Sequence, residues 1–370
     1  MMTFPLTYRR LLTLLLITCP CLGTMQLRAE ETQAEIIETE ISTHLDNTLL
    51  DDGHHDGSYD IKHDRPDTHA PGQLMGDHVH ARGEYMIEYK YMNMYMDGNR
   101  AGTTRLTPGQ AMMFNGNNFM VAPTSMTMEM HMTHFMVGYT DNLTLYVMPT
   151  WKVNTMDHQR MDSSTFRAVN AGFADIPFGG LWRIYNGVDD EIIANVGFSA
   201  PTGDIDNLAP TGMEFAYPMR LGAGTWNARP GVAYKGYREA SSLGLQFQAD
   251  VPLGLNDENY AVSNDYRFNA WYARRIGSQQ QAALTFRVEC LWKSNYSGSD
   301  ADLMMMAGMN PAARADFRGG EWVNLGYGTV WKLPGGSRLN FEISHPVHQD
   351  LDGVQLETDW TLAGSWSKGF

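Results

Sequence analysis

MTMEMHMTHFMVGY, residues 126–139, decides how the rest of the chain is read. In an extended backbone successive side chains alternate between two faces. Met126, Met128, Met130, Met132, His134 and Met136 then share one face, and Thr127, Glu129, His131, Thr133, Phe135, Val137 and Tyr139 take the other. The end of the stretch assigns these faces. Phe135, Val137 and Tyr139 form an apolar set closing on an aromatic ring, which suits lipid and its interface. By parity the thioether face turns inward. Met is a weak strand former and usually a scattered gap-filler, so a face carrying it at nearly every second position is unusual. Glu129 and His131 fall on the outward parity, which requires that they stand above the hydrocarbon or that a bulge flips the register.

Segments of about ten alternating residues recur on both sides of this stretch, the weak signature of a membrane barrel. Upstream, Gly83 to Met96 sets Tyr85, Ile87, Tyr89 and Tyr91 against Met86, Glu88, Lys90, Met92 and Met94. Downstream, past the tight-turn pair Asp141-Asn142, Leu143 to Asn154 sets Leu145, Val147, Trp151 and Val153 against Thr144, Tyr146, Met148 and Lys152. Further segments begin near Ala174, Ile192, Thr225, Ser242, Tyr266, Ala282, Val323, Arg338 and Leu356, making twelve. Connections after the second, fourth, sixth, eighth and tenth are short; those after the first, third, fifth, seventh and ninth are long. With the N-terminus in the periplasm, short turns fall there and long loops outside. A soluble β-sandwich explains the alternation but not this asymmetry. The expected fold is all-β: a transmembrane antiparallel β-barrel of about 12 strands over residues 81–370, surrounded by outer-membrane lipid. Phe370, closing the last segment, resembles the signal read by bacterial barrel-assembly machinery.

Ahead of the barrel, Arg9 and Arg10 precede the apolar run LLTLLLITCPCLGTM, and Ala29 stands before an acidic start. This reads as a secretory signal peptide over residues 1–29. Its removal takes two of the three cysteines and leaves Cys290 alone, so no internal disulfide is expected. Residues 30–80 are acidic and carry His44, His54, His55, His63, His69, His78 and His80. They read as a disordered periplasmic extension, able as a His and Asp mixture to meet borderline divalent ions. A net charge of −15 argues against a nucleic-acid partner.

The inner faces supply the candidate site. Glu88, Lys90, Lys152, Asp175, Arg183, Arg229, Arg267, Arg287, Glu289, Arg338 and Glu342 line the lumen by parity. Such mixed charges either set a field across an aqueous pore or pair and fill a narrow barrel. A second set is soft: Met92, Met94, Met126, Met128, Met130, Met132, His134, Met136 and Met148, with Met156, His158 and Met161 in a loop above. Thioethers bind Cu(I) without losing a proton, and they also pack flexibly inside a narrow pore. No cofactor is required; Cu(I) or Ag(I) is the ion the soft set would take. No G-x-S-x-G elbow is present, and Ser344, His345, His348 and Asp350 are close in sequence without being a triad, so no enzyme is expected.

GQLMGDHVHARGEYMIEYKYMNMYMDGNRAGT (72–103), MTMEMHMTHFMVGYTDNLTLYVM (126–148) and GFSAPTGDID (197–206) carry a resemblance. From about Gln73 to the end, the chain resembles the outer-membrane transporter family named for the meta-pathway of phenol degradation. The resemblance implies a β-barrel of the bacterial outer membrane passing small solutes, aromatic compounds among them, with no catalytic residues to carry over. Met156-Asp157-His158-Gln159-Arg160-Met161 resembles, in a single copy, the Met-Asp-His repeats of outer-membrane copper-resistance proteins. That likeness implies an alternative role in binding or relaying copper or silver.

Overall fold

The structure, a computed structural model, describes residues 65–209, 212–277 and 281–370. The expected signal peptide and His44, His54, His55 and His63 lie outside the described residues. In chain order the strands are β1 (Tyr85–Gly102), β2 (Thr104–Leu106), β3 (Val121–Thr140), β4 (Leu143–Val147), β5 (Thr150–Arg160), β6 (Thr165–Phe173), β7 (Ile176–Asn186) and β8 (Asp190–Ala200). They continue as β9 (Asn227–Tyr237), β10 (Ser241–Pro252), β11 (Tyr260–Ala261), β12 (Asp265–Ile276), β13 (Ala282–Lys293), β14 (Ser297–Gly298), β15 (Gly320–Lys332) and β16 (Ser337–Gly369).

All pairings are antiparallel, and they close into a ring in the order β1, β16, β15, β13, β12, β10, β9, β8, β7, β4, β3 and back to β1. β16 is 33 residues long and folds back at Asp352-Gly353, where Gly353 has φ +73, a left-handed conformation that glycine adopts without strain. Its first limb pairs with β15 and its second with β1, so eleven elements make twelve passes of the wall. The seam is sealed where the Tyr85 and Phe370 backbones exchange hydrogen bonds at 3.1 and 2.8 Å.

The alternation expected from the sequence sorts the wall into two environments. On β3, Phe135 is 43% exposed while its neighbour Met136 is 3% exposed. Around the ring, Tyr89, Leu145, Trp182, Val196, Leu243, Tyr272, Phe286, Trp331, Ile343 and Trp366 all stand on the outer surface. An apolar, aromatic-rich belt of this extent has no place in water and is the lipid face of a barrel. The β1–β3 register runs without a shift from Tyr85 opposite Val137 to Asp97 opposite Ser125, so no bulge rescues Glu129 and His131. They face outward, where Tyr89 Oη meets His131 Nδ1 at 2.7 Å and Asn93 Nδ2 donates to Glu129 Oε1 at 3.4 Å.

Two expectations need correction. The third segment does not end near Asn154, nor does a long connection follow it: β5 runs on to Arg160, β6 precedes the fourth segment, the two pair from Trp151–Phe173 to Gln159–Thr165, and the connection is a short turn. Met156 and His158 therefore lie on the inner face of β5, and only Met161 is in the turn. The strands are interrupted at Met148-Pro149, where proline removes a ladder donor, and opposite at Ala174-Asp175. Secondly, residues 65–80, read as part of an extension outside the barrel, are ordered and run through its lumen.

Candidate functional site

Residues 65–84 enter the lumen at the short-turn end, reach its middle near Gln73 and return to start β1. The segment has too many prolines and glycines, Pro66, Pro71, Gly72 and Gly76 among them, to pair as a strand. Its backbone carbonyls therefore need other donors, because a buried unpaired carbonyl costs about 1–3 kcal/mol. The wall provides them. Arg338 Nη1 donates to Arg65 O (3.2 Å), Ser242 Oγ to Asp67 O (2.7 Å) and Lys235 Nζ to Thr68 O (3.0 Å). Asn340 Nδ2 donates to Ala70 O (3.0 Å), Lys90 Nζ to Leu74 O (3.0 Å), Gln246 Nε2 to Met75 O (2.8 Å) and Arg183 Nη2 to Val79 O (3.2 Å).

At the deepest point Arg287, 1% exposed, bonds Glu342 Oε1 (2.6 Å), Glu289 Oε2 (2.8 Å), Asn269 Oδ1 (2.8 Å) and Gln73 Oε1 (2.7 Å). Gln73 also takes a bond from Ser344 Oγ (3.0 Å), gives one to Thr361 O (3.0 Å), and offers its backbone N–H to Glu342 Oε2 (2.7 Å). The guanidinium is held between two carboxylates, whose other oxygens accept from Asn324 Nδ2 (2.8 Å) and from the Gln73 N–H, so each buried charged group is hydrogen-bonded. Apolar contacts complete the seat: Val79 lies with Met86, Met136, Leu181 and Ile193, while Ala70 and Leu74 pack on Trp271, an inward tryptophan that the sequence reading passed over.

The outer end is filled by the same device. The connection after β8 folds inward, and wall residues cap its carbonyls: Lys152 Nζ on Arg220 O (3.0 Å), Asn154 and Asn170 on Met219 O (3.1 and 3.0 Å). Asp175, in the break between β6 and β7, accepts from Gly203 N (2.9 Å) and Ala223 N (2.7 Å). Arg220 ties the loops together through Asp300 (2.6 Å), Glu214 (2.7 Å) and Tyr260 Oη (3.1 Å). Beside it Tyr217, Tyr260 and Tyr296 meet at ring separations of 5.0–6.0 Å. Tyr217 and Tyr296 line a cavity of about 340 Å³ there.

The sequence-selected residues thus divide by role. Lys90, Arg183 and Arg338 hold the N-terminal segment directly, Arg287 and Glu342 hold Gln73, and Glu289 supports Arg287. Glu88 lies 3.7 Å from Lys90 and 3.5 Å from His134, and Lys152 and Asp175 hold the outer connection. Arg229 pairs with Asp250 (2.9 Å) and Arg267 with Asp265 (3.4 Å), both partners lying on wall strands. The thioether ladder is inward and continuous across β1 and β3, pairing Met92 with Met130 and Met94 with Met128. Its lower end, Met136, seats the N-terminal segment; its upper end, Met126 and Met156, packs with Phe215 and Met219 of the outer connection. Met132 and Met148 are buried in the wall between, and His158 stacks on Phe166 at 4.6 Å. Ser344 faces the lumen whereas His345 stacks on Tyr327 outside, so the late Ser and His residues occupy opposite faces.

No protein-family model and no curated protein matches the sequence. Among solved structures the chain is similar to the KdgM porin, at 7% identity and TM-score 0.36 over 77% of this chain and 99% of that one. It is also similar to a Pseudomonas aeruginosa FadL homologue, at 10% identity and TM-score 0.34 over 77% and 89%. An outer membrane channel from Pseudomonas putida F1 aligns with TM-score 0.52 and 14% identity, covering 79% of this chain and 97% of that one. What the chain shares with that channel is its fold, an outer-membrane β-barrel.

Proposed function

We propose that the protein is a channel of the bacterial outer membrane for small solutes, with its own N-terminal segment controlling passage. The observation that carries this reading is how the lumen is filled. A separate stretch of backbone sits there on exchangeable hydrogen bonds from wall side chains. Water can replace such bonds one at a time, so the segment can shift without opening the ring. Aromatic compounds are the solute class supported by the tyrosine-lined cavity at the outer mouth and by the resemblance to the phenol meta-pathway family. Export by the signal peptide, and recognition of Phe370 by barrel-assembly machinery, belong to the same reading. Deleting Phe370 is expected to lower the assembled fraction in cells, and unchanged assembly would detach that partner. No catalytic step forms part of the proposal.

Single-channel recording in planar bilayers tests it, comparing the full chain with one lacking residues 65–80. Larger and steadier current steps are expected from the shortened chain. Silence from both, with barrels intact, refutes a channel. A copper or silver relay is the second reading, favoured by the half-buried Met92, Met94, Met128 and Met130 on the inner face. Equal Cu(I) affinity in a variant with Leu at Met128, Met130 and Met132 removes it.

A further inference from the structure

Two limbs of the inserted segment pass each other near His69 and His78. Their rings lie 4.2 Å apart between centroids. Asp77, 4% exposed, joins them: its Oδ1 is 2.9 Å from His78 Nδ1, and its Oδ2 accepts the Ala70 backbone N–H at 2.7 Å. The carboxylate oxygen and the His78 ring nitrogen face one another at a separation that a small ion bound by both would span.

We propose that His69, Asp77 and His78 form a binding site for a borderline divalent transition ion, Zn²⁺ being the reference case. One ligand atom from each residue lies within 4.8 Å of the others, so a small inward movement converges them. Two imidazoles and a carboxylate are the donor set such ions take, whereas Ca²⁺ and Mg²⁺ favour all-oxygen cages. The Ala70 N–H holds the second Asp77 oxygen, so the carboxylate keeps its orientation while the first oxygen binds the ion. The nearest cation, Lys235, stands 3.9 Å from Asp77 Oδ2 but is paired with Glu191 at 3.1 Å, so the carboxylate is not consumed by it. An ion here bridges residues on the inward and returning limbs and clips the segment in its seat. The clipping becomes control of passage only on the channel reading; the binding itself does not depend on it.

Titration of Zn²⁺ into refolded full-length protein, followed by calorimetry, tests the site. His44, His54, His55 and His63 precede it, so the measurement is made with Gln at those four positions. One equivalent is expected to remain. His69→Gln, His78→Gln and Asp77→Asn each remove a ligand and should each weaken it at least about tenfold. Should any variant fold poorly, electron paramagnetic resonance of Cu²⁺ on the parent chain still reports whether two imidazole nitrogens bind. Absence of binding at micromolar Zn²⁺, or affinity indifferent to His69, Asp77 and His78, overturns the proposal. Binding without any Zn²⁺ effect on bilayer current would instead count against the channel reading.

Discussion

Replacing Gln73 by Ala removes the one side chain that anchors the inserted segment at its deepest point without touching the wall. Three hydrogen bonds are lost: one from the Arg287 guanidinium, one from the Ser344 hydroxyl and one to the Thr361 carbonyl. A bond to a charged group contributes about 1.5–3 kcal/mol and a neutral one about 0.5–1.5 kcal/mol, which places the loss at about 2.5–6 kcal/mol. Water entering the vacated space moves the effect toward the lower figure. Even 2.5 kcal/mol multiplies the population of the displaced segment by about seventy, since about 1.36 kcal/mol is tenfold. Hydrogen exchange followed by mass spectrometry reads this directly. Amides of residues 67–80 should exchange about seventy-fold faster or more, while those of β12, β13 and β15 keep their protection. Exchange within threefold of the parent over 67–80 would refute the claim that wall hydrogen bonds hold the segment.

Arg220→Met leaves Asp300 and Glu214 without their cation, and breaking a buried pair costs about 3–5 kcal/mol; protease should then cut between residues 201 and 226 while the ring survives, and unchanged resistance counts against Arg220 as the tie. Gly138→Ala builds a Cβ into the Ala81 carbonyl, whereas Gly369→Ala has no neighbour nearer than 3.9 Å. Faster exchange at residues 79–84 is expected for the first substitution only, and equal behaviour of the two contradicts the close approach. In the outer loops, burial and then Asp300 raise the Glu214 carboxyl above its ordinary 4.5. An acid with a raised folded-state pKa favours the folded loops most below pH 4.5, and this contribution declines as pH rises through the raised value. Glu214→Gln should flatten that part of the pH profile of protease resistance; an unaltered profile assigns the slope elsewhere.

The ring was legible because lipid imposes a strict period of two. Phe135, Val137 and Tyr139 fixed the parity of β3, and the neighbouring alternations agreed with it. The signal faded where lipid does: the outer halves of β5 and β6 carry Asp157 and Arg167 on their outer face, paired at 2.8 Å above the apolar belt, and so resembled a loop. The inserted segment was illegible for a different reason. Its prolines, glycines and histidines match disordered sequence, and nothing local marks Gln73 as a buried anchor. Its order comes from Arg287, Glu342 and Ser344, more than 200 residues away. The mark it left was in the wall itself. Lys90, Arg183, Arg287, Arg338 and Glu342 bond the segment from the wall, and the sequence showed no reason to give them a backbone as partner. The thioether face was likewise assigned by parity, while its lower and upper contacts depend on two segments that the periodicity does not describe.

Cross-linking across the lumen tests the central claim most directly. Gln73 Oε1 and Ser344 Oγ are 3.0 Å apart, so Gln73→Cys with Ser344→Cys, in a background with Cys290→Ser, places two thiols on the inserted segment and the facing wall. A short bis-methanethiosulfonate, with which each thiol forms a disulfide and displaces methanesulfinate, should join them when applied to outer-membrane vesicles, shift the band on a denaturing gel, and suppress bilayer current until a reductant cleaves the link. Free labelling of both cysteines with no cross-link would mean that residues 65–84 lie outside the barrel.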